Sequence, residues 1–435
     1  MSPAAPHHHG AAVRGVVNVG IGKAKLPVGQ LIYVKQGARE NTAFAYDAGW
    51  LARPDRFAIS PDLLLVADHQ RRKAPSPQDS VFPHAVADTA PDAWGRRVIA
   101  RDHAKRRLAE NLPPLGELDY LLAVDDFSRV GALRLQIAGQ PEPPIADEGR
   151  RRTPPLVDLQ AMYAASRAVE TNQATAADLK YLLGRGTSLG GLRPKCTVID
   201  RNGRLSLGKF PSITDERSVT RGEVLALHLA KRAGIDAAQA RVEQLGATPV
   251  GIIARFDRSQ DDGRIPYMSA ASLLQASRTE DRSYFEVADA IRGCGHNPIA
   301  DIQQLWRRLV FNLLITNVDD HLHNMGLLHV ANGLWRIAPA FDLNPFPDKQ
   351  NESKTWLSER DGPIADIAQL LARAAYFSLT PQLARAVLAE VVAALTAWRS
   401  VGLSAEIGLT AAELGEFAPA FEHGQMVAAR RTLGG

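Results

Sequence analysis

Cysteine is nearly missing from this sequence of 435 residues: Cys196 and Cys294 are the only two, and they provide neither a disulfide framework nor a metal-binding spacing. Such a chain suits a reducing compartment, and each thiol reads as a small apolar side chain. Long hydrophobic runs are missing as well. No window reaches the roughly 18 uninterrupted apolar residues of a membrane span, and the opening MSPAAPHHHGAAV has no apolar core of signal-peptide length. A cytoplasmic protein without membrane contact is therefore expected, and His7, His8 and His9 in that tail are assigned no role. Nor is there a strong excess of one charge. Lys and Arg number 51 against 47 Asp and Glu, a balance that permits an acidic partner without demanding one. What is present, 45% hydrophobic and 23% charged residues, is the composition of a globular protein long enough for several domains.

From Val13 to about Gly139, the segments GVVNVGI, GQLIYVKQ, TAFAYDAGWL and ALRLQIAG are short and β-rich between Gly, Pro and Asn. They predict a small sheet or partly closed barrel. Among them, PDAWGRRVIARDHAKRRLAENL predicts a helix starting near Asp92. Its basic residues Arg96, Arg97, Arg101, Lys105, Arg106 and Arg107 invite a nucleic-acid reading. No stacking aromatics are interleaved, and a solvated helix face accounts for the charge. Residues 140–155 concentrate Pro, Gly and charge as a linker does. Helices over 156–170 and 174–183 follow, then a strand-rich stretch interrupted by the helix TRGEVLALHLAKRAG, and then a helical remainder with i, i+3, i+4 apolar spacing. The expected division is residues 1–140, 141–272 and 273–435.

The chemistry concentrates where the apolar run Leu309–Ile315 gives way to Asp319, Asp320, His321 and His323. Asp319 and Asn324 stand five residues apart, the spacing of a kinase catalytic loop in which the Asp accepts the substrate hydroxyl proton and the Asn holds magnesium. Asp342 follows two apolar runs separated by Ala331-Asn332-Gly333, which predicts a hairpin that returns it beside Asn324. An oxygen pair on adjacent loops suits Mg²⁺; a plainer reading has Asp319 and Asp320 capping a turn. Upstream, GRGTSLGGLRPK offers flexible Gly190 and Gly191 to a phosphate, with Lys195 in reach, although it is not a Walker A loop because Cys196 follows the lysine. Lys209 on the strand RLSLGKFPS would place a point charge on the α and β phosphates. Glu223, near the start of the following helix, is its expected partner, against the alternative of a local capping box with Thr220.

These strings, in this order, resemble the HipA family of toxin serine/threonine kinases. VGQLIYV, TAFAYDAGWL, PDAWGRRV and DYLLAVDDFSRVGAL are similar to its N-terminal region, and SLGGLRPK, LGKFPS, ARFDR, NVDDHLHN and APAFDLNP to its kinase core. The resemblance implies an α+β fold: a small β-rich N-terminal subdomain, then a two-lobed protein-kinase-like core with a mixed α/β N-lobe and an all-helical C-lobe. It implies ATP and Mg²⁺ as cofactors, Asp319 as catalytic base, and Asn324 and Asp342 as metal ligands. ATP would also meet Lys209, Glu223, His321 and a phosphate-side loop of Gly190, Gly191, Leu192, Arg193, Pro194 and Lys195. Met268, Ser269 and Ala270 would be the adenine hinge, and Ser188, with Thr187 as a neighbouring hydroxyl, the autophosphorylation site that switches the enzyme off. In isolation Ser188 reads equally well as a turn cap.

As partners, the resemblance implies a separate helix-turn-helix antitoxin (HipB-like), operator DNA reached through it, and a protein substrate such as an aminoacyl-tRNA synthetase. Three other readings compete: a small-molecule or lipid kinase using the same phosphate machinery, a catalytically silent nucleotide-binding co-repressor, and direct DNA binding, ranked last because the charge excess is small.

Overall fold

The computed structural model describes residues 13–140, 158–183, 193–261, 263–350 and 352–434. Its first sheet is antiparallel, in the order β4-β3-β2-β1-β5, from β1 (Val13–Ile21), β2 (Leu26–Gln36), β3 (Arg39–Tyr46), β4 (Gln70–Lys73) and β5 (Leu133–Ile137). Alternate residues Val17, Val19, Leu31, Tyr33, Phe44 and Tyr46 are buried, the period of two that a half-buried strand requires. β2 and β3 meet through the two-residue turn Gly37-Ala38, where Gly37 takes the positive φ of 61° that such hairpins demand. The sheet is open, with β4 and β5 at opposite edges, which decides between the two expectations for this region.

A second sheet, in the order β6-β7-β9-β8, is built from β6 (Lys195–Ile199), β7 (Leu205–Lys209), β8 (Ala240–Leu245) and β9 (Thr248–Ala254). The β6–β7 turn is held by Asp200, whose carboxylate accepts from the backbone of Asn202 at 2.8 Å and Arg204 at 2.9 Å. Part of this sheet shares a core with helices α1 (Ala93–Glu110), α2 (Leu159–Glu170) and α3 (Ala176–Leu182): Trp94, Val98, Leu159, Met162, Cys196 and Ile252 form one cluster. Helix α4 (Val219–Arg232) crosses β9 at Gly251, where a Cβ would come within 3.2 Å of Thr220 and 3.6 Å of Val224. The glycine permits the close approach.

The charge on α1 is largely spent inside the fold. Asp92 caps its first turn, Arg96 forks onto Glu117 at 2.9 and 2.6 Å, Arg106 pairs with Asp102, and Arg101 and Lys105 donate to the carbonyls of Val169 and Ala174.

The helical C-lobe contains α5 (Tyr284–Cys294), α6 (Pro298–Leu314) and α7 (Pro381–Thr396), and carries a three-stranded sheet of its own. That sheet pairs β10 (Tyr267–Ser269) with β11 (Gly326–Ala331), and β11 with β12 (Leu334–Ile337) through Asn332 and Gly333, both at positive φ (51° and 76°). This is the predicted hairpin before Asp342. Helix α6 buries Ile302, Leu305, Trp306, Leu309, Leu313 and Leu314 along one stripe, with a proline at its start. Thr316 ends it in the left-handed region (φ 53°), and Asn317 N–H returns to Asn312 O at 2.8 Å, so the chain leaves as a loop.

Buried charge braces the N-terminal region from within and ties it to the segment after β9. Arg129, 2% exposed, donates to the carbonyls of Thr89 at 3.1 Å, Leu121 at 3.0 Å and Val124 at 2.9 Å. Asp257, just beyond β9, accepts from Gly131 N–H at 2.7 Å and pairs with Arg255 and Arg258, which in turn donate to the carbonyls of Ser128 and Arg129. Among the described residues, no helix is long and apolar enough to cross a membrane. Arg129→Met would strip three buried carbonyls of their donors and is expected to cost about 3 kcal/mol in urea unfolding at unchanged m-value. A loss within experimental error would show that these three bonds contribute nothing to stability.

Candidate active site

β7 ends at Lys209, opposite Lys195 of β6 and Gly251 of β9. Its ammonium donates to Glu223 Oε1 at 2.6 Å and Asp342 Oδ1 at 2.8 Å, bringing together three segments remote in sequence. The competing capping box is not formed. Ser218 occupies the cap of α4 without a side-chain bond, and Thr220 is buried facing Gly251.

Burial disfavours the Lys209 ammonium, but the Asp342 and Glu223 carboxylates outweigh it and hold the lysine above its usual pKa. Burial also pushes Asp342 up, and Lys209 more than reverses that, bringing the carboxyl down to about 2. Glu223, 4% exposed, is raised by burial that Lys209 only partly offsets. Lys209 thus pairs with both carboxylates. Asp342 itself lies in the left-handed region (φ 54°), with Asn344 Nδ2 donating to its Oδ1 at 3.1 Å.

The loop after α6 sends its adjacent carboxylates to different partners. Asp320, 7% exposed, accepts from Tyr284 Oη–H and Lys354 N–H, both at 2.7 Å, and its carbonyl accepts from Thr355 Oγ1 at 2.8 Å. It anchors the loop from inside. Asp319, more exposed, carries the Lys354 ammonium on Oδ1 and lies 3.8 Å from His321 Nε2. Asn324 Nδ2 donates to Asp319 O at 2.8 Å, which fixes the spacing of the pair and leaves the amide oxygen as its other polar atom. Lys209, His321, Asn324, Asp342 and Lys354 line one large cleft, walled on its far side by β4 and the loop that follows it.

Other residues singled out in the sequence have defined places. Lys195 is buried on β6, its ammonium 3.0 Å from Asp92, and Arg193 forks onto Asp215. Pro194 is buried and its carbonyl accepts from Phe210 N–H at 3.0 Å. Ser188, Thr187, Gly190, Gly191 and Leu192 lie outside the described residues. Of the expected hinge, Met268 and Ala270 are buried; Ser269 donates from N–H and Oγ to Asp88 at 2.7 and 2.9 Å, and Ala270 N–H donates to Met325 O at 2.8 Å. The segment that leaves the N-lobe sheet along the cleft is Ala254–Asp257, directly after β9, with Phe256 5.5 Å from Phe341 between ring centroids. The sequence counts this segment, ARFDR, among the kinase-core strings without giving it a place along the cleft; its signal is a charged and aromatic break in an apolar strand.

Among the described residues, no three His, Cys, Asp or Glu side chains are grouped to hold a cation. An ionised carboxylate at Asp342 and an amide oxygen at Asn324 nevertheless fit Mg²⁺, which takes one or two protein oxygens and completes its shell with water and phosphate.

A strand lysine tied to a helix glutamate, with one loop bearing an Asp–Asn pair and another a second Asp, belongs to the class of two-lobed protein-kinase-like folds. The chain is a member of the HipA family: the HipA N-terminal domain matches residues 21–133 and the HipA-like C-terminal domain residues 187–399. The HipA of the Shewanella oneidensis MR-1 toxin–antitoxin system, solved with HipB and its operator DNA, superposes with a TM-score of 0.65 at 17% identity over 96% of this chain and 97% of that one. Among curated proteins, "Putative kinase Y4mE" of Sinorhizobium fredii is 25% identical over 37% of this chain and 42% of its own, and a "Putative kinase" of Haemophilus influenzae is 23% identical over 39% and 56%. The chain thus spans about half the length of the curated relatives it matches.

Because Asp342 titrates near 2 rather than 3.8, its ion pair contributes stability that is complete above the unfolded value and is lost as pH falls through the folded one. The stability gap between wild type and Asp342→Asn, read by urea unfolding, should shrink between roughly pH 5 and pH 2. A gap constant over that window would show that the carboxylate is not held by Lys209.

Proposed function

We propose that this protein transfers the γ-phosphoryl group of ATP to a serine or threonine hydroxyl of another protein, and that it acts as the toxin of a toxin–antitoxin pair. The observation that carries the reading is Lys209 bridging Glu223 and Asp342 in the cleft that Asn324 also lines. Lys209 holds the α and β phosphates as a point charge, and Glu223 fixes its position. Asn324 and Asp342 would hold Mg²⁺, which when bound neutralises charge on the phosphates. Asp319, fixed through its carbonyl by Asn324 and through its neighbour Asp320 by Tyr284, accepts the proton of the attacking hydroxyl. Lys354 must leave the Asp319 carboxylate, or share it, when the hydroxyl arrives.

Phe256 is our candidate for the adenine edge, since the backbone N–H groups of Ala254, Arg255, Ser269 and Ala270 already donate within the protein. Gly190 to Lys195 form the phosphate-side loop in this reading, and Ser188 the autophosphorylation site. The partner is a helix-turn-helix antitoxin, proposed from the HipB and operator DNA present with the Shewanella HipA. A substrate among translation proteins, such as an aminoacyl-tRNA synthetase, belongs to the same reading, as does a cytoplasmic location.

Intact mass after incubation with Mg²⁺-ATP tests this directly. Wild type should gain a phosphate, Ser188→Ala should gain none, and Asp319→Asn should lose about 10²–10⁴-fold in transfer rate while remaining folded. Full rate in Asp319→Asn would sink the assignment.

A further inference from the structure

The outer part of the cleft carries unspent positive charge. Its carboxylates are largely occupied: Glu117 holds Arg96, Glu280 holds Arg282 at 2.8 Å, and Asp79 accepts from Ser76 Oγ at 2.8 Å, Ser277 Oγ at 2.7 Å and Arg278 N–H at 2.8 Å. Arg39, Arg71, Lys73 and Arg278 line the same space with exposed side chains, and none has a carboxylate within salt-bridge reach among the described residues. Exposed Asp281 offsets one of these charges.

The backbone beneath two of those cations suits an extended ligand. β4 is an edge strand, paired only with β3 among the described strands, through Asn41↔Lys73 to Phe44↔Gln70. Arg71 and Lys73 alternate with half-buried Gln70 and Arg72, and Arg72 is tied to Asp62 at 2.7 Å. Arg71 and Lys73 therefore project from one side of the strand, two residues or roughly 6.6 Å apart, the repeat of alternate side chains in an extended peptide. The third cation is held in place, because Asp79 bonds both Ser277 and Arg278 and so ties the loop after β4 to the loop before α5.

We propose that this outer cleft docks an extended acidic segment of the acceptor protein, with Arg71, Lys73 and Arg278 as its cationic contacts, so that its hydroxyl is delivered toward Asp319. The proposal rests on the phosphoryl-transfer reading and specifies the chemistry of the acceptor. A protein segment fits better than nucleic acid. The lining aromatics Phe256, Tyr267 and Phe341 are packed against one another, with centroids 5.5 and 6.4 Å apart, rather than offered for base stacking.

Three fluorescein-labelled serine peptides of equal length, with Glu, Gln or Lys at alternate flanking positions, provide the test. Each is measured for binding by anisotropy and for phosphate transfer from Mg²⁺-ATP, using the full chain, Arg71→Glu/Lys73→Glu and, independently, Arg278→Glu. Wild type should bind the Glu peptide about tenfold more tightly than the Gln peptide, and the variants should lose that preference, since two or three charge contacts of modest strength suffice for such a factor. ATP affinity should be unchanged in all of them. Equal binding of the Glu and Gln peptides by wild type, or a preference that persists in the variants, overturns the docking proposal. So does a duplex oligonucleotide that binds more tightly than the Glu peptide and depends on Arg71 and Lys73. The two readings separate cleanly: selective binding without transfer keeps the docking surface and removes the kinase, whereas transfer without selectivity does the reverse.

Discussion

One buried ammonium closes this fold. Lys209 is the meeting point of the N-lobe sheet, helix α4 and the loop after the C-lobe hairpin, through Glu223 and Asp342. A lysine buried without carboxylates would release its proton, and two carboxylates buried without a cation would repel one another. Each group is therefore kept in its useful charge state by the others, and the lobes are brought into register by the same contacts. Asp342 adopts a left-handed backbone at that point, and Asn344 supports its carboxylate from two residues on.

A second set of buried charges sets the position of the cleft wall. Arg255, Asp257 and Arg258 fix the segment after β9 against the N-terminal loop by bonds to backbone groups, and Arg129 braces that loop from within. Backbone partners cannot rotate away as side chains do, so this wall is stiff. The Asp319–Lys354 pair is the contrasting case: the side chains are 35% and 57% exposed, in contact with water, and free to exchange partners. Rigidity thus sits behind the wall after β9 and adaptability at the Asp319 loop.

Much of this was legible in the sequence, and for local reasons. The Asp319–Asn324 spacing, the Asn332-Gly333 turn and the strand ending at Lys209 are each written within a few residues, and the structure keeps all three. The choice between Lys209 and a capping box for Glu223 needed tertiary information, because both partners were plausible at sequence range. β10 was legible only in part, for a related reason. Tyr267–Ser269 reads as a passage from strand to helix, and the structure keeps that passage, but its pairing partner is Gly326–Leu328, far along the chain, and Asp88 reaches Ser269 from the N-terminal region. Nothing within a local window announces either contact. The basic stretch of α1 also has its explanation elsewhere, in Glu117 and in the carbonyls of Val169 and Ala174.

Trp94 has a consequence for how such chains can change over time. It precedes the proline- and charge-rich linker in sequence, yet it is fully buried in the cluster with Cys196, Val198 and Ile252 of the sheet that carries Lys209. The front of the chain is therefore not a cassette that can be traded freely between relatives. An exchange that altered the tryptophan's volume would be felt first in the spacing of strands β6 and β9, which flank the strand that ends at Lys209. Inheritance of the two parts is coupled by packing, whatever partners each part serves.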